Sequence, residues 1–168
     1  MNCYRCKYIY SEGLQQQVIS KDERQSVISL PCMCANLRRA ARVVTQIYDE
    51  ELRPSGLRTS QFTLLQTLKL APGISQKRLA GLLEIDSTTL TRTLAFLRGK
   101  GWLRADPGKD RRELRLSLTA AGLREYKRAS PYWQLAQKRL RRELGEANWN
   151  LLGNAAMRVA ELPSSKED

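Results

Sequence analysis

Four cysteines lie in two close pairs near the start of the chain, at Cys3-x-x-Cys6 and Cys32-x-Cys34. Four thiolates are enough to hold one zinc or iron ion, and closely spaced pairs are a usual way to supply them. Cys34 also lies near the predicted start of a helix, where the partial positive charge favours a thiolate and hence oxidation chemistry. A third interpretation makes all four small apolar residues without a sensing role. The sequence leaves these interpretations open, and we expect no required cofactor.

A second group of residues combines short hydroxyl side chains with a guanidinium. Ser87, Thr88, Thr91 and Arg92 follow a predicted helix start at Asp86 or Ser87. Ser and Thr bond phosphates or base edges at close range, and Arg can bind guanine O6 and N7 bidentately. The opposite face of the same helix is predicted to be buried through Leu90, Leu94 and Leu97. The pattern is therefore typical of a helix that enters a nucleic-acid groove.

Three further helices are predicted before this one. The first begins at Cys32, carries an apolar stripe, and ends at Pro54 and Gly56. The second is capped by Thr59 or Ser60 and stops near 71–73. The third is capped by Ser75, with Ile74 as a hydrophobic staple, and ends near Glu84 and Ile85. The first helix carries its apolar stripe at Leu37, Ala41, Val44, Tyr48 and Leu52, the second bears Phe62, Leu65 and Leu68, and the third has a predicted buried face of Leu79, Leu82 and Leu83.

A β-hairpin is predicted after the glycines at 99 and 101. Its strands are 102–105 and the alternating run 114–118, joined through the turn signal Asp106-Pro107-Gly108 and a basic loop. Residues 119–162 are predicted to form two more helices, with Pro131 kinking the first and the second starting near Gly145.

Two short helices followed by a hairpin with a basic loop predict a winged helix-turn-helix, in a fold that is mainly α with a small β-wing. An arginine of the loop is expected to enter the DNA minor groove, with Arg112 favoured over Arg111. The residues predicted to contact double-stranded DNA are Ser75, Gln76, Ser87, Thr88, Thr89, Thr91, Arg92, Lys109, Arg111 and Arg112. The alternative is a winged helix that docks on a protein and uses its thiols for structure or metal.

The composition supports a polyanionic partner. The 168 residues include 29 Lys+Arg and 17 Asp+Glu, a formal net charge of +12. No histidine is present, which excludes Ser-His-Asp and Cys-His pairs and His-containing zinc sites. Neither a G-x-G-x-x-G nor a G-x-x-x-x-G-K-[ST] motif occurs, so we expect no enzyme. A second basic run at 124–142 is more typical of a solvated helix face.

Four segments in register resemble the MarR family of bacterial winged-helix regulators. They are Thr59-Ser-Gln-Phe-Thr-Leu-Leu, Thr89-Leu-Thr-Arg-Thr-Leu, Lys100-Gly-Trp-Leu-Arg104, and Asp110-Arg-Arg followed by Leu118-Thr-x-x-Gly122. Their order fits from about Cys34 to Leu162. The resemblance implies a dimeric DNA-binding regulator whose first and last helices form the dimer interface. It also implies that Arg112 is the wing arginine and that Asp110 supports the loop.

The resulting domain prediction has three parts. Residues 1–31 form a polar extension without a counterpart in the family pattern, 32–162 form the regulator, and 163–168 form a polar tail. Within the regulator, 59–118 form the winged helix-turn-helix, and 32–53 and 123–162 form dimerisation helices. Tyr48, Phe62 and Tyr126 are candidates for an effector pocket. We expect a cytoplasmic, nucleoid-associated bacterial homodimer on a pseudo-palindromic operator, acting as a repressor relieved by a small molecule or by thiol oxidation.

Overall fold

The computed structural model of the protein describes residues 31–108 and 114–162. Two units are distinguished in the described chain, with the boundary between Val43 and Val44. Nearly all of the predicted extension 1–31, the loop positions 109–113 and the tail 163–168 lie outside the described residues, with Cys3 and Cys6 among them. No helix among the described residues is long and apolar enough to cross a bilayer.

Helix α1 spans Met33–Leu52 and ends as predicted, before the 3-10 turn Arg53–Ser55 and Gly56. Gly56 has a φ of 70°, a left-handed conformation that a glycine adopts without strain. Of the predicted apolar stripe only Leu52 is buried, and Leu37 is 43% exposed. Val44 and Tyr48 of the same stripe are half-buried.

Helix α2 spans Thr59–Leu70, and its start corrects the prediction that Thr59 or Ser60 caps it. Arg58 occupies the N-cap position, and its backbone N–H donates a hydrogen bond to the side-chain oxygen of Gln61 at 2.9 Å. Thr59 donates its N–H and its hydroxyl to the Asp49 carboxylate, at 2.7 and 2.6 Å. A side chain of α1 therefore satisfies this helix end, which a search for local capping residues does not detect.

Strand β1 is only Ile74–Ser75, and it precedes helices α3, Gln76–Leu83, and α4, Ser87–Gly99. Both helices have the predicted caps: Ser75 accepts from the Arg78 N–H, and Asp86 accepts from the Thr89 N–H. Leu79, Leu90, Leu94 and Leu97 are buried as predicted.

The prediction that Leu82 is buried is wrong, because its side chain is 62% exposed. Helix α3 has only eight residues and buries one narrow face, which Leu79 occupies. Leu82 lies three positions further on and falls at the edge of that face.

Strands β2, Leu103–Pro107, and β3, Leu114–Leu118, form the predicted hairpin. Strand β2 extends two residues past its predicted end, because Asp106 and Pro107 pair with Arg115 and Leu114 instead of forming the turn, whereas β3 has the predicted bounds. The sheet order is β1-β3-β2 and all pairs are antiparallel. The pairing of Ile74 with Leu116 and of Ser75 with Arg115 was missed, since a two-residue strand has no readable alternation.

Helices α5, Ala120–Leu144, and α6, Glu146–Ala160, complete the described chain. The α-helix continues through Pro131, where the predicted kink stays a prediction. Gly122 lies where α5 meets the backbone of Trp102, and a Cβ there would be 2.1 Å from the Trp102 carbonyl oxygen. This close contact explains why a glycine, which has no Cβ, occupies the first turn of α5.

The core is formed by leucines of α1, α2, α3, α4 and the sheet, together with Leu57, Phe62, Ile74 and Ala129. Phe62 stacks on Tyr126 and Trp133 of α5, with ring centroids 5.5 and 5.9 Å apart. This packing holds the helix-turn-helix against α5 and leaves the outer face of α4 free of core contacts.

Candidate nucleic-acid interface

The outer face of α4 carries the predicted contact residues. Because Leu90, Leu94 and Leu97 are buried, the periodicity of the helix places Ser87, Thr88, Thr91 and Arg92 on the solvent side, where all four are exposed. Among the described residues Arg92 forms no ion pair. A guanidinium and three hydroxyl groups are thus available on one helix face.

The start of α4 is fixed by Asp86. Its carboxylate accepts from the Thr89 N–H at 2.8 Å, and the hydrogen bonds from Thr89 hold the pKa of the Asp86 carboxyl below its ordinary value. Thr89 is exposed, but its backbone is engaged in the cap, and its carbonyl accepts the Thr93 hydroxyl at 3.0 Å. These bonds set the direction in which the helix leaves the turn.

The first turn of α3 lies beside this face. Ser75 is only 8% exposed, and its hydroxyl caps α3 by accepting from the Arg78 N–H at 3.2 Å. Gln76 is half-buried and donates its side-chain amide N–H to the Thr91 hydroxyl at 3.3 Å. The structure therefore brings Gln76 to the exposed face of α4, whereas Ser75 has a capping role and its DNA contact stays a prediction.

The wing is tied to the helix-turn-helix at the turn before β1. The Gly73 N–H donates to the Leu116 carbonyl at 2.9 Å and lies 3.0 Å from the Ser117 hydroxyl. Arg115 donates to the Gly73 carbonyl at 3.3 Å. Residues 108–113 join the paired ends Pro107 and Leu114. The predicted wing residues Lys109, Asp110, Arg111 and Arg112 are outside the described residues, so their roles stay predictions.

The three candidate effector residues differ in their burial and in their contacts. Phe62 is 1% exposed and stacks on Tyr126, which also lies 4.7 Å beneath the Lys69 ammonium. Tyr48 is half-buried, and burial raises the pKa of its phenol. Phe62 thus belongs to the core and the half-buried Tyr126 packs against it, and the role of both as ligand contacts stays a prediction.

A cleft that sequence reasoning missed lies at the corner between α1 and α2. Its volume is about 650 Å³, and its lining is mainly polar: Gln46, Asp49, Glu50, Arg53, Gly56, Leu57 and Arg58. Arg139 of α5 donates to Glu50 and Glu51 at 2.9 and 3.1 Å beside it. No local pattern indicates this cleft, because it exists only where the turn 53–55 folds α2 back.

The remaining predicted chemistry concerns the cysteines. Cys32 is half-buried and Cys34 is exposed in the first turn of α1, and both are free thiols. Among residues 31–108 and 114–162, no three His, Cys, Asp or Glu side chains are grouped so as to hold a metal ion. The proposed four-cysteine site requires Cys3 and Cys6 and stays untested.

An antiparallel three-stranded sheet attached to a helix-turn-helix, with a capped and exposed second helix, defines a winged helix-turn-helix protein. The model of the MarR family matches residues 57–114. The chain belongs to the MarR family of transcriptional regulators.

Solved structures share the fold over most of its length. The chain is 35% identical to the transcriptional regulator MOSR of M. tuberculosis, crystallised in complex with DNA, with a TM-score of 0.69 over 77% of this chain and 94% of that one. It is 27% identical to the transcriptional repressor CouR bound to a 23-mer DNA duplex, with a TM-score of 0.70 over 77% and 93% of the two chains.

A relative is also known from Bacillus subtilis (strain 168), where it is described as the uncharacterized HTH-type transcriptional regulator YwoH. It is 31% identical over 90 residues, which make up 54% of this chain and 66% of the relative's own length. These relatives are described as transcriptional regulators.

Proposed function

We propose that the protein is a sequence-specific regulator that binds double-stranded DNA as a homodimer on a pseudo-palindromic operator. The observation that supports this most directly is the exposed face of α4, with Ser87, Thr88, Thr91 and Arg92 on a capped helix. Arg92 supplies bidentate recognition of guanine, and the hydroxyl groups supply short contacts to bases and phosphates. The net charge of +12 supplies the sequence-independent attraction to the backbone.

The homodimer is supported by apolar side chains that the monomer leaves in water. Helix α6 has no buried residue, and Leu151 and Met157 are 68% and 66% exposed. A helix with this many exposed apolar groups gains stability when a second copy covers them. The two-fold symmetry of such a dimer places two α4 helices on two half-sites of the operator.

We further propose that the protein is a repressor, and that a small molecule or thiol oxidation relieves the repression. The cleft at the α1–α2 corner has a volume within the usual range for small-molecule sites. The Cys34 thiol is exposed and accessible to oxidants.

Native thiol titration with and without a chelator distinguishes the possibilities for the cysteines, because four freely reacting thiols in both samples contradict a metal site. We place the protein in the bacterial cytoplasm.

The experiment that tests the function is selection from a pool of duplex DNA with a randomised centre at two salt concentrations, followed by sequencing of the retained fraction. A palindromic motif with binding that falls steeply as salt rises is the expected result. Absence of enrichment together with absence of salt dependence would contradict DNA binding and favour the protein-docking module.

A further inference from the structure

One hydrogen bond links the two helices of the helix-turn-helix on the side that faces the proposed DNA. Gln76 is the first residue of α3, and its amide N–H donates to the hydroxyl oxygen of Thr91 in α4 at 3.3 Å. The backbone around Gln76 is held by the Ser75 cap and by the buried Leu79. The donor thus comes from a fixed position, whereas Thr91 is exposed.

The Thr91 hydroxyl makes a different hydrogen bond from those of two other helical threonines. Thr67 and Thr93 donate their hydroxyl hydrogens to the carbonyls four residues earlier, at 2.8 and 3.0 Å. Such a hydrogen is no longer available to a ligand. Thr91 instead accepts from Gln76, and among the described residues its own hydrogen has no acceptor.

A hydroxyl group has one hydrogen to donate and oxygen lone pairs that accept. When the Thr91 oxygen accepts the hydrogen bond from the Gln76 amide, one of its lone pairs is used. The hydroxyl hydrogen of Thr91 is then directed away from α3. Guanine O6 and N7, adenine N7, thymine O4 and phosphate oxygens accept such a hydrogen, whereas the amino groups of adenine and cytosine do not.

We propose that Gln76 is a positioning residue that orients the Thr91 hydroxyl as a hydrogen-bond donor toward DNA, so that recognition at one base pair by α4 depends on a side chain of α3. This inference rests on the proposed function. Whether Thr91 donates a hydrogen bond to DNA or accepts one is then determined by a residue outside α4.

The test exchanges the donor for an acceptor. In Gln76→Glu the new carboxylate only accepts, so Thr91 donates its hydrogen to it and turns its lone pairs toward DNA. Duplexes carrying the selected operator, randomised one position at a time, are bound to wild type, Gln76→Glu, Thr91→Val and the double variant, and the retained bases are sequenced. We expect Gln76→Glu to shift the preference at one position toward an adenine or cytosine amino group by about tenfold, and Thr91→Val to abolish that shift.

The control is Lys77→Gln, which lowers the charge by one unit on the adjacent, exposed position. It is expected to weaken binding to all duplexes without a change of preferred base. Thr91→Ser keeps the hydroxyl and is expected to keep the shift in combination with Gln76→Glu. Melting temperatures equal to that of wild type show that the fold of these variants is intact.

The inference is overturned if Gln76→Glu leaves the preferred base unchanged, or if its shift persists when Thr91 is Val, since Gln76 would then contact DNA by itself. An enriched wild-type motif with either of these results leaves the proposed function standing. A wild-type protein that enriches no motif overturns both.

Discussion

We predict that base discrimination depends most on Arg92, because it is exposed, forms no ion pair among the described residues and lies on a capped helix. Arg92→Ala is expected to cost about 1–3 kcal/mol of discrimination between the operator and a base-substituted operator. Competition binding at constant salt measures this difference. Arg98→Ala, at the far end of the same helix, is the control and is expected to weaken both duplexes equally. An unchanged ratio for Arg92→Ala would contradict its role in base recognition.

Asp86 provides a prediction about pH. Its pKa is lowered in the folded protein by the hydrogen bonds from Thr89, so its contribution to stability is present above the unfolded pKa and is lost as the pH falls through the folded pKa. Asp86→Ala is therefore expected to lower the melting temperature at neutral pH. The difference from wild type should shrink in acid, below the ordinary pKa of an aspartic acid. A difference that stays constant as the pH falls through and below the folded pKa of Asp86 would show that the carboxylate charge is not what stabilises the turn.

At the scale of elements, the close contact between α5 and the backbone of Trp102 determines how the last long helix leaves the wing. The Thr119 N–H donates to the Trp102 carbonyl at 3.0 Å, and the Thr119 hydroxyl accepts from the Gly122 N–H at 3.1 Å. The helix start and the strand therefore share one short segment. A side chain at 122 has no room unless this segment moves.

Gly122→Ala is expected to lower the free energy of unfolding by about 1–3 kcal/mol, because overpacking against backbone cannot be relieved by a rotamer change. Urea unfolding followed by circular dichroism measures the change. Gly81→Ala is the matched control, since a Cβ there meets open space and an alanine inside a helix is favoured by up to about 1 kcal/mol. Equal stability of the two variants would argue against the close contact.

The whole molecule has an excess of positive charge and an uncovered apolar helix, and the proposed dimer uses both. Leu151→Asp places a carboxylate among the exposed apolar residues of α6 and is expected to raise the dimer dissociation constant by at least tenfold. Sedimentation velocity over a dilution series measures it. Binding to a two-half-site operator should weaken more than binding to a single half-site.

Asn150→Asp adds the same charge at the neighbouring exposed polar position of α6 and serves as the control. It is expected to leave the dimer intact. A monomeric wild type, or equal effects of the two substitutions, would contradict the assignment of α6 to the dimer interface.

The sequence alone determined the order of the elements and the residues of the α4 face, because caps and helical periodicity are local. Asp86 and Ser75 cap their helices through bonds to residues three positions away, and the leucines of α4 repeat at helical spacing. Only the tertiary structure decided features that join distant residues: Asp49 satisfying the start of α2, the pairing of Ile74 with Leu116, the exposure of Leu82, and the bond from Gln76 to Thr91. These contacts arise when separate segments meet in the folded chain, and the spacing of residues along one segment carries no information about which partner another segment will bring.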